Sequence, residues 1–276
     1  MQKKRPLDGV LLVSDLDGTL LTDQFEIPPR SLAAITRFME EGGLFSLATG
    51  RTEYSAGRYA SRVSANAPGI LYNGAVIYDF SKEAFIWNAS MPPEVKTVLQ
   101  TILTAFPEVG AQIYSLDFVS VVNPSELITE HVSNEGIQSR VRELDEKPRQ
   151  WVKLLFAAPE ERIAELESFA AAMEHKGIAC VKSCPIYFEM LPEGASKGET
   201  LLRLAQMLGI KKENTAAVGD YYNDIELVSS AGTGFAPAGA PQEVKAAAGH
   251  VVGSCEDGAV ADVIEYLERR YMGSNA

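Results

Sequence analysis

The chain has 276 residues and a formal net charge of −12 at pH 7, with a sequence pI of about 4.8. This excess of acid argues against nucleic acid or an anionic membrane surface as a partner, because both would repel it. Apolar residues form 46% of the chain and charged residues 22%, which is ordinary for a globular protein long enough for two domains. Because the net charge is negative, a phosphorylated substrate would need a metal ion and a few well-placed cationic side chains to bind.

The apolar stretch nearest the start covers only residues 10 to 13, which is too short for a signal peptide or a membrane span. We therefore expect a cytoplasmic protein. Three cysteines, Cys180, Cys184 and Cys255, lack the paired spacing of a metal site, so we interpret them as reduced structural thiols.

Residues 10 to 20 read V-L-L-V-S-D-L-D-G-T-L, an apolar run that ends in two aspartates. The run predicts a buried strand that opens into a tight turn, since Gly18 can adopt a positive φ. Asp15 and Asp17 can then crowd one small space, where they repel each other unless a cation joins them. Mg2+ suits such a site because it prefers oxygen ligands. A turn that is merely rich in aspartate explains the same segment, and on these residues alone both interpretations stand.

The next elements predict a right-handed parallel β-α-β unit. Apolar residues recur at helical spacing between residues 28 and 42, and residues 44 to 48 form a second short strand. Such a unit carries both strand ends to the same edge of the sheet. Thr49, which follows the second strand, should therefore lie near Asp15.

From about residue 80 the pattern changes. Short strands mixed with helices at hairpin-like spacing favour an α+β module, which we interpret as a cap inserted over residues 80 to 186. Helical periodicity then returns before a strand over residues 215 to 218. The α/β core is thus split into residues 1 to 79 and 187 to 276, and we expect it to form a doubly wound, Rossmann-like parallel sheet.

Acidic residues follow strands that are far apart in the sequence. Four such carboxylates at one sheet edge would destabilise the fold unless a cation compensated them, and Mg2+ would do so. Lys197 begins the helix after the cap, where a lysine opposes the helix dipole. Either this lysine is solvated, or a nearby phosphate or aspartate offsets the cost. The residues predicted at the carboxyl ends of the strands are Asp15, Asp17, Thr49, Asp220 and Asp224.

Five short motifs occur in a fixed order. They are D-L-D-G-T-L at 15 to 20, A-T-G-R at 48 to 51, Y-N-G-A at 72 to 75, S-K-G at 196 to 198 and G-D-Y-Y-N-D at 219 to 224. With them the chain resembles the haloacid dehalogenase superfamily of phosphohydrolases, and more narrowly its Cof-type branch with an α+β cap. The resemblance implies a Mg2+-dependent phosphatase that acts on a small phosphorylated metabolite, such as a sugar phosphate, through an aspartyl phosphate.

The resemblance also implies a role for each matching residue. Asp15 would attack phosphorus, and Asp17 would protonate the leaving oxygen and then deprotonate the incoming water. Thr49 and Lys197 would hold the transferring phosphoryl oxygens, and Asn223 is expected beside them, where it would also orient the metal shell. The implied metal ligands are Asp15, Asp17 through its backbone carbonyl, Asp220 and Asp224.

Alternatives remain for the reaction and for one side chain. A phosphomutase on the same scaffold would return the phosphoryl group to a sugar instead of to water. A signalling receiver also combines acidic residues, a threonine and a lysine, but such modules lack an insert of this size. Arg51 either reaches the substrate or caps a turn at the surface. Residues 237 to 240 read P-A-G-A where family members commonly have M-G-N-A, so one amide is absent.

Overall fold

The computed structural model of the chain describes residues 5–142 and 150–273. The chain forms two compact units, each built around a sheet. The first unit comprises Met1–Ile86 and Ser196–Ala276, and the second comprises Trp87–Ala195. The described residues contain no helix with the length and apolarity needed to span a bilayer.

Five parallel strands form the sheet at the centre of the first unit. Leu11–Ser14 lies between Thr215–Val218 and Leu44–Leu47, and each of its residues is paired with both neighbours. All four of its residues are buried, which explains why the segment is a nearly unbroken apolar run. From edge to edge the strand order is Gly249–Val252, Thr233–Pro237, Thr215–Val218, Leu11–Ser14 and Leu44–Leu47.

Helices follow these parallel strands, as the predicted Rossmann-like core requires. In Pro29–Glu40 the proline occupies the first turn, where its missing N–H costs nothing, and the buried positions recur at helical spacing. The helices are Pro29–Glu40, Glu53–Arg62, Lys197–Met207, Ile225–Ser230, Gln242–Ala248 and Ala259–Met272, with 3-10 turns at Tyr72–Gly74, Lys212–Asn214 and Tyr222–Asp224. A separate three-stranded sheet has the order Gly69–Leu71, Val76–Asp79, Ala84–Asn88.

The second unit is a six-stranded, mostly antiparallel sheet with three helices among its described residues, the α+β arrangement predicted for a cap. Alternate residues of its strands, such as Ala111 and Ile113, enter an apolar core together with helix residues such as Leu99 and Leu166. The strand order is Ile178–Cys184, Tyr187–Pro192, Trp151–Ala157, Gly110–Ser115, Val119–Asn123 and Ser139–Val141. The helices are Val95–Ala105, Glu126–Glu135 and Glu160–Ala171.

The sequence pattern predicts that the second core segment begins at residue 187, but the structure places the strand Tyr187–Pro192 in the second unit. It pairs antiparallel with both Ile178–Cys184 and Trp151–Ala157, so it belongs to the sheet of the second unit. The short connection before it forms a hairpin, which keeps the chain in the same sheet. The edge strand Gly249–Val252 was also not predicted, because four mostly exposed residues give no apolar run to detect.

Candidate active site

Three carboxylates meet at the carboxyl edge of the parallel sheet. Leu11–Ser14 and Thr215–Val218 are adjacent and in register, and the backbone N–H of Asp15 donates to the carbonyl oxygen of Val218 at 2.9 Å. Asp15, Asp220 and Asp224 each place a carboxylate oxygen within 4.8 Å of the other two. Two segments that are about 200 residues apart in sequence thus build one acidic cluster, a separation that the topology of an open parallel sheet accommodates.

Lys197 lies inside this cluster. Its Nζ donates to Oδ1 of Asp15 at 2.6 Å and to Oδ1 of Asp224 at 2.7 Å, and its side chain is 1% exposed. Burial opposes the charged form of the lysine, but the two aspartates outweigh burial and raise its pKa. Lys197 lies in the first turn of its helix, where the helix dipole disfavours a cation, and the two aspartates offset this cost. The sequence alone leaves open whether the lysine is solvated or paired in this way.

One ammonium does not balance three carboxylates. Burial, followed by repulsion from Asp224, raises the pKa of Asp15 well above its usual range, although Lys197 opposes the shift. Burial and Asp224 likewise raise the pKa of Asp220 to about 7, against a hydrogen bond from Thr19 Oγ1 at 2.8 Å. The cluster is thus short of positive charge. A hard divalent cation such as Mg2+ fits this set of oxygen ligands.

The loop that carries Asp220 is held by Asp224. Oδ2 of Asp224 accepts hydrogen bonds from the backbone N–H groups of Asp220 at 3.1 Å and Tyr221 at 3.2 Å, while its Oδ1 faces Lys197. The position of Asp220 also depends on Gly18, because a Cβ there would lie 2.5 Å from Oδ2 of Asp220. With φ at +77°, Gly18 has the left-handed backbone that was predicted for it.

Asp17 does not share the space of this cluster, although the sequence suggested that its carboxylate could. Its exposed carboxylate instead forms a two-point ion pair with Arg51, whose Nε and Nη2 donate at 2.8 and 2.7 Å. The Arg51 side chain is buried, which excludes the surface cap, one of the two alternatives that the sequence left open for this residue. The A-T-G-R motif does not indicate that Arg51 pairs with Asp17, because the pairing depends on the direction in which two turns project their side chains.

Thr49 follows the strand Leu44–Leu47 at the same edge and is buried. Its backbone carbonyl accepts from the N–H of Asn73 at 3.0 Å, and Oδ1 of Asn73 accepts from Nδ2 of Asn223 at 3.1 Å. Oδ1 of Asn223 is buried and has no hydrogen-bond partner among the described residues. A polar atom in this state is a natural contact for a ligand.

Asn73 belongs to the Y-N-G-A motif, but sequence reasoning assigned it no role in the site. Its φ is +55°, and Tyr72 before it has φ of +53°, so two consecutive non-glycine residues adopt the left-handed conformation. Strained backbone of this kind collects at functional sites. Two signals were available: the Y-N-G-A motif, and the position of Asn73 after Gly69–Leu71, a strand that ends near the strand carrying Thr49.

Comparison with known proteins gives the family. The model of the family described as haloacid dehalogenase-like hydrolase matches residues 12–264. The chain is similar to the putative phosphatase YxeH of Bacillus subtilis, with 28% identity over 266 residues that cover 93% of this chain and 97% of that protein. It is equally similar to the pyridoxal phosphate phosphatase YbhA of Escherichia coli, with 28% identity over 268 residues and coverage of 92% and 97%.

Solved structures share the fold over nearly the whole chain. A haloacid dehalogenase-like hydrolase from Bacteroides thetaiotaomicron superposes with a TM-score of 0.81 at 25% identity, covering 94% of this chain and 99% of that one. TM0651 from Thermotoga maritima superposes with a TM-score of 0.77 at 28% identity, covering 93% and 97%. The predictions of a phosphoric monoester hydrolase, a Rossmann-like core and an α+β cap are confirmed. The chain belongs to the haloacid dehalogenase-like hydrolase family.

Proposed function

We propose that this hydrolase is a Mg2+-dependent phosphatase that releases phosphate from a small phosphorylated metabolite through an aspartyl phosphate on Asp15. The observation that carries the proposal is the buried cluster of Asp15, Lys197, Asp220 and Asp224. It combines a carboxylate nucleophile, a fixed cation and a set of oxygen ligands within a few ångströms. Few structural roles need this combination, since each uncompensated charge costs stability.

Asp15 begins the reaction in this proposal. Lys197 holds its Oδ1, so Oδ2 is the oxygen that we assign to the attack on phosphorus. The new bond from Asp15 to phosphorus forms as the ester bond to the leaving oxygen breaks, and an acyl phosphate results. Covalent catalysis of this type divides one difficult displacement into two easier ones.

Asp17 carries the proton in both halves of the reaction. Its carboxyl group gives a proton to the leaving oxygen in the first step, and its carboxylate takes a proton from the attacking water in the second. The water oxygen then bonds to phosphorus, the bond to Asp15 breaks, and inorganic phosphate leaves. Proton transfer from a placed side chain typically accelerates such steps by about 10²- to 10⁴-fold.

The transferring phosphoryl oxygens are bound by polar groups of the same edge. Lys197 supplies a positive charge that neutralises the negative charge of the transition state, and Thr49 supplies a hydroxyl. The buried Oδ1 of Asn223 has no hydrogen-bond partner among the described residues. As an acceptor it suits a cation or a donor beside the phosphoryl group, which is the metal-orienting role proposed for Asn223. These groups are fixed before the substrate arrives, so little reorganisation is required.

Mg2+ would be held by Asp15, by the backbone carbonyl of Asp17 and by Asp220, with Asp224 as a further ligand or as the residue that orients them. When bound, it would supply the positive charge that the three carboxylates lack and would screen the phosphoryl oxygens. The raised pKa values of Asp15 and Asp220 support this assignment, because burial and neighbouring carboxylates disfavour the ionised forms and a bound cation would favour them.

The relatives support a small substrate. One is named a pyridoxal phosphate phosphatase, others are named HMP-PP phosphatases, and one structural neighbour is titled a sugar phosphatase. The substrates in these names are small phosphorylated molecules. For this chain we propose a sugar phosphate or a related metabolite as the substrate.

A panel of phosphorylated sugars, nucleotides and cofactors, assayed for released phosphate with and without Mg2+, tests this function. We expect Mg2+-dependent release from a few members and loss of activity in Asp15→Asn. Asp23→Asn, which alters an exposed carboxylate in the same loop region, is the matched control and should retain activity. Full Mg2+-dependent activity in Asp15→Asn would refute the proposal. Conversion of a sugar 1-phosphate into its isomer without free phosphate would indicate a mutase instead.

A further inference from the structure

We infer that Arg51 is a positioning residue for Asp17, and that it fixes the carboxyl group through which both proton transfers pass. This assignment rests on the function proposed above. Its basis is the two-point ion pair, in which Nε of Arg51 lies 2.8 Å from one carboxylate oxygen of Asp17 and Nη2 lies 2.7 Å from the other. A guanidinium that grips both oxygens fixes the plane of the carboxylate as well as its distance.

The guanidinium is itself anchored from several sides. Nη1 of Arg51 donates to Oγ of Ser55 at 2.9 Å, and its backbone N–H donates to Oγ1 of Thr49 at 3.2 Å. Its Cζ lies 5.5 Å from the centre of the Tyr59 ring and 5.7 Å from that of Phe25, within the range of cation–π attraction. These contacts fix the guanidinium independently of Asp17, so the ion pair in turn fixes the orientation of the Asp17 carboxylate.

The exposure of the two partners indicates a functional pair. The Arg51 side chain is 6% exposed, whereas the Asp17 side chain is 47% exposed. An ion pair that serves only the core would bury both groups, and one that serves only the surface would leave both in water. Here a buried cation presents a carboxylate to solvent at the edge of the acidic cluster. That is the geometry expected of a group that must meet a substrate.

The pair leaves room for the proton. A carboxylate has about four acceptor positions, of which the guanidinium occupies two, so the outward positions of Asp17 stay available. A proton on an outward position can pass to the leaving oxygen, and the same position can then receive a proton from water. Arg51 keeps its own proton throughout, because a guanidinium group is not deprotonated in proteins.

Two other roles for Arg51 make different predictions. A direct phosphate ligand would affect every phosphorylated substrate alike, and a purely structural residue would affect stability and all activities together. A positioning role affects only reactions that need the proton of Asp17. Nitrophenolate leaves without a proton, whereas an alkoxide requires one, so the leaving group separates these roles.

The experiment compares Arg51→Ala with the wild-type protein in single-turnover formation of the phosphoenzyme. We expect the rate with an alkyl phosphate from the substrate panel to fall about 10- to 100-fold, and the rate with p-nitrophenyl phosphate to change less than about threefold. Arg58→Ala is the matched control. Arg58 is exposed, and like Arg51 it lies over the Tyr59 ring, with its Cζ 4.8 Å from the ring centre. It should leave both rates unchanged.

One further variant keeps the inference testable if Arg51→Ala does not fold. Arg51→Lys retains the charge but loses the two-point contact, so it should show the same selective loss with the alkyl phosphate. In a double-mutant cycle, Asp17→Asn should abolish the difference between arginine and lysine at position 51, because the group to be positioned is then gone. Equal losses on both substrates, or additive effects in the double variant, would overturn the inference. A wild-type protein without Mg2+-dependent phosphatase activity would instead reject the proposed function.

Discussion

Lys197 and Asp15 are 182 residues apart in sequence, and their side chains meet at 2.6 Å in a fully buried ion pair. The pair joins the first strand of the parallel sheet to the helix that resumes the core after the second unit. Because Lys197 also contacts Asp224, one cation connects three segments of the chain at the point where the chemistry is proposed. Stability and activity should therefore depend on the same side chain.

Replacing this lysine tests that dependence. Lys197→Met removes the only ammonium that the structure gives Asp15 and Asp224 among the described residues, and leaves two buried carboxylates without it. We expect activity to be lost and the free energy of unfolding to fall by about 3–5 kcal/mol, measured by urea denaturation in EDTA. Lys211→Met, which breaks an exposed pair with Glu213, should cost less than about 1 kcal/mol. Equal costs for the two variants would contradict the prediction.

The acidic cluster could be predicted because it depends on chain topology. Right-handed β-α-β units place successive strand ends on one edge, so Asp15, Thr49 and Asp220 are near one another whatever the side chains in between. The pairing of Arg51 with Asp17 could not be predicted in this way. It depends on the direction of side chains that leave two irregular turns, and no periodicity describes those directions.

The limits of the second unit show a related failure of sequence patterns. The strand Tyr187–Pro192 is apolar, as a core strand would be, so composition alone does not assign it to either unit. Its placement follows from backbone hydrogen bonds to Ile178–Cys184 and Trp151–Ala157, and composition does not indicate these pairings. Short exposed strands such as Gly249–Val252 escape detection for the opposite reason, since they have little apolar character.

Gly18 offers a test of how closely the backbone must approach Asp220. In Gly18→Ala the new Cβ would meet Oδ2 of Asp220 at 2.5 Å and push the carboxylate out of the cluster. We expect the Mg2+ concentration for half-maximal activity to rise about tenfold. Gly9→Ala is a matched control, because Gly9 also has a positive φ, +88°, but no atom lies within 4 Å of a Cβ there. Both variants should lose similar stability, whereas a similar change in Mg2+ dependence in both would exclude a specific role for the contact.

The Cys184 thiol of the second unit should react slowly near neutral pH. Its partial burial raises its pKa to about 11, whereas the exposed Cys180 of the same strand serves as the comparison. Only the thiolate reacts, and a raised pKa leaves less thiolate below it, so labelling should accelerate as the pH approaches about 11. We expect alkylation by iodoacetamide near neutral pH to be about 100-fold slower than for free cysteine, measured by mass spectrometry of the labelled peptides. A labelling midpoint at or below pH 9.0, the ordinary value, would contradict this expectation.

Divalent cation should stabilise the folded protein through Asp220. The ligand set of Asp15, Asp220 and Asp224 is assembled only in the folded state, so a cation that binds there raises the melting temperature by mass action. We expect excess Mg2+ over EDTA to raise the melting temperature of the wild-type protein by several degrees, since about 1–3 kcal/mol of linkage is available at concentrations well above Kd. Asp220→Asn should lose most of this increase, because a carboxylate ligand is replaced by a weaker amide. Asp23→Asn, with its change on an exposed side chain, should keep the full increase, and calorimetric scans of the three proteins with and without Mg2+ make the comparison. An increase that survives in Asp220→Asn would place the cation elsewhere on this acidic surface.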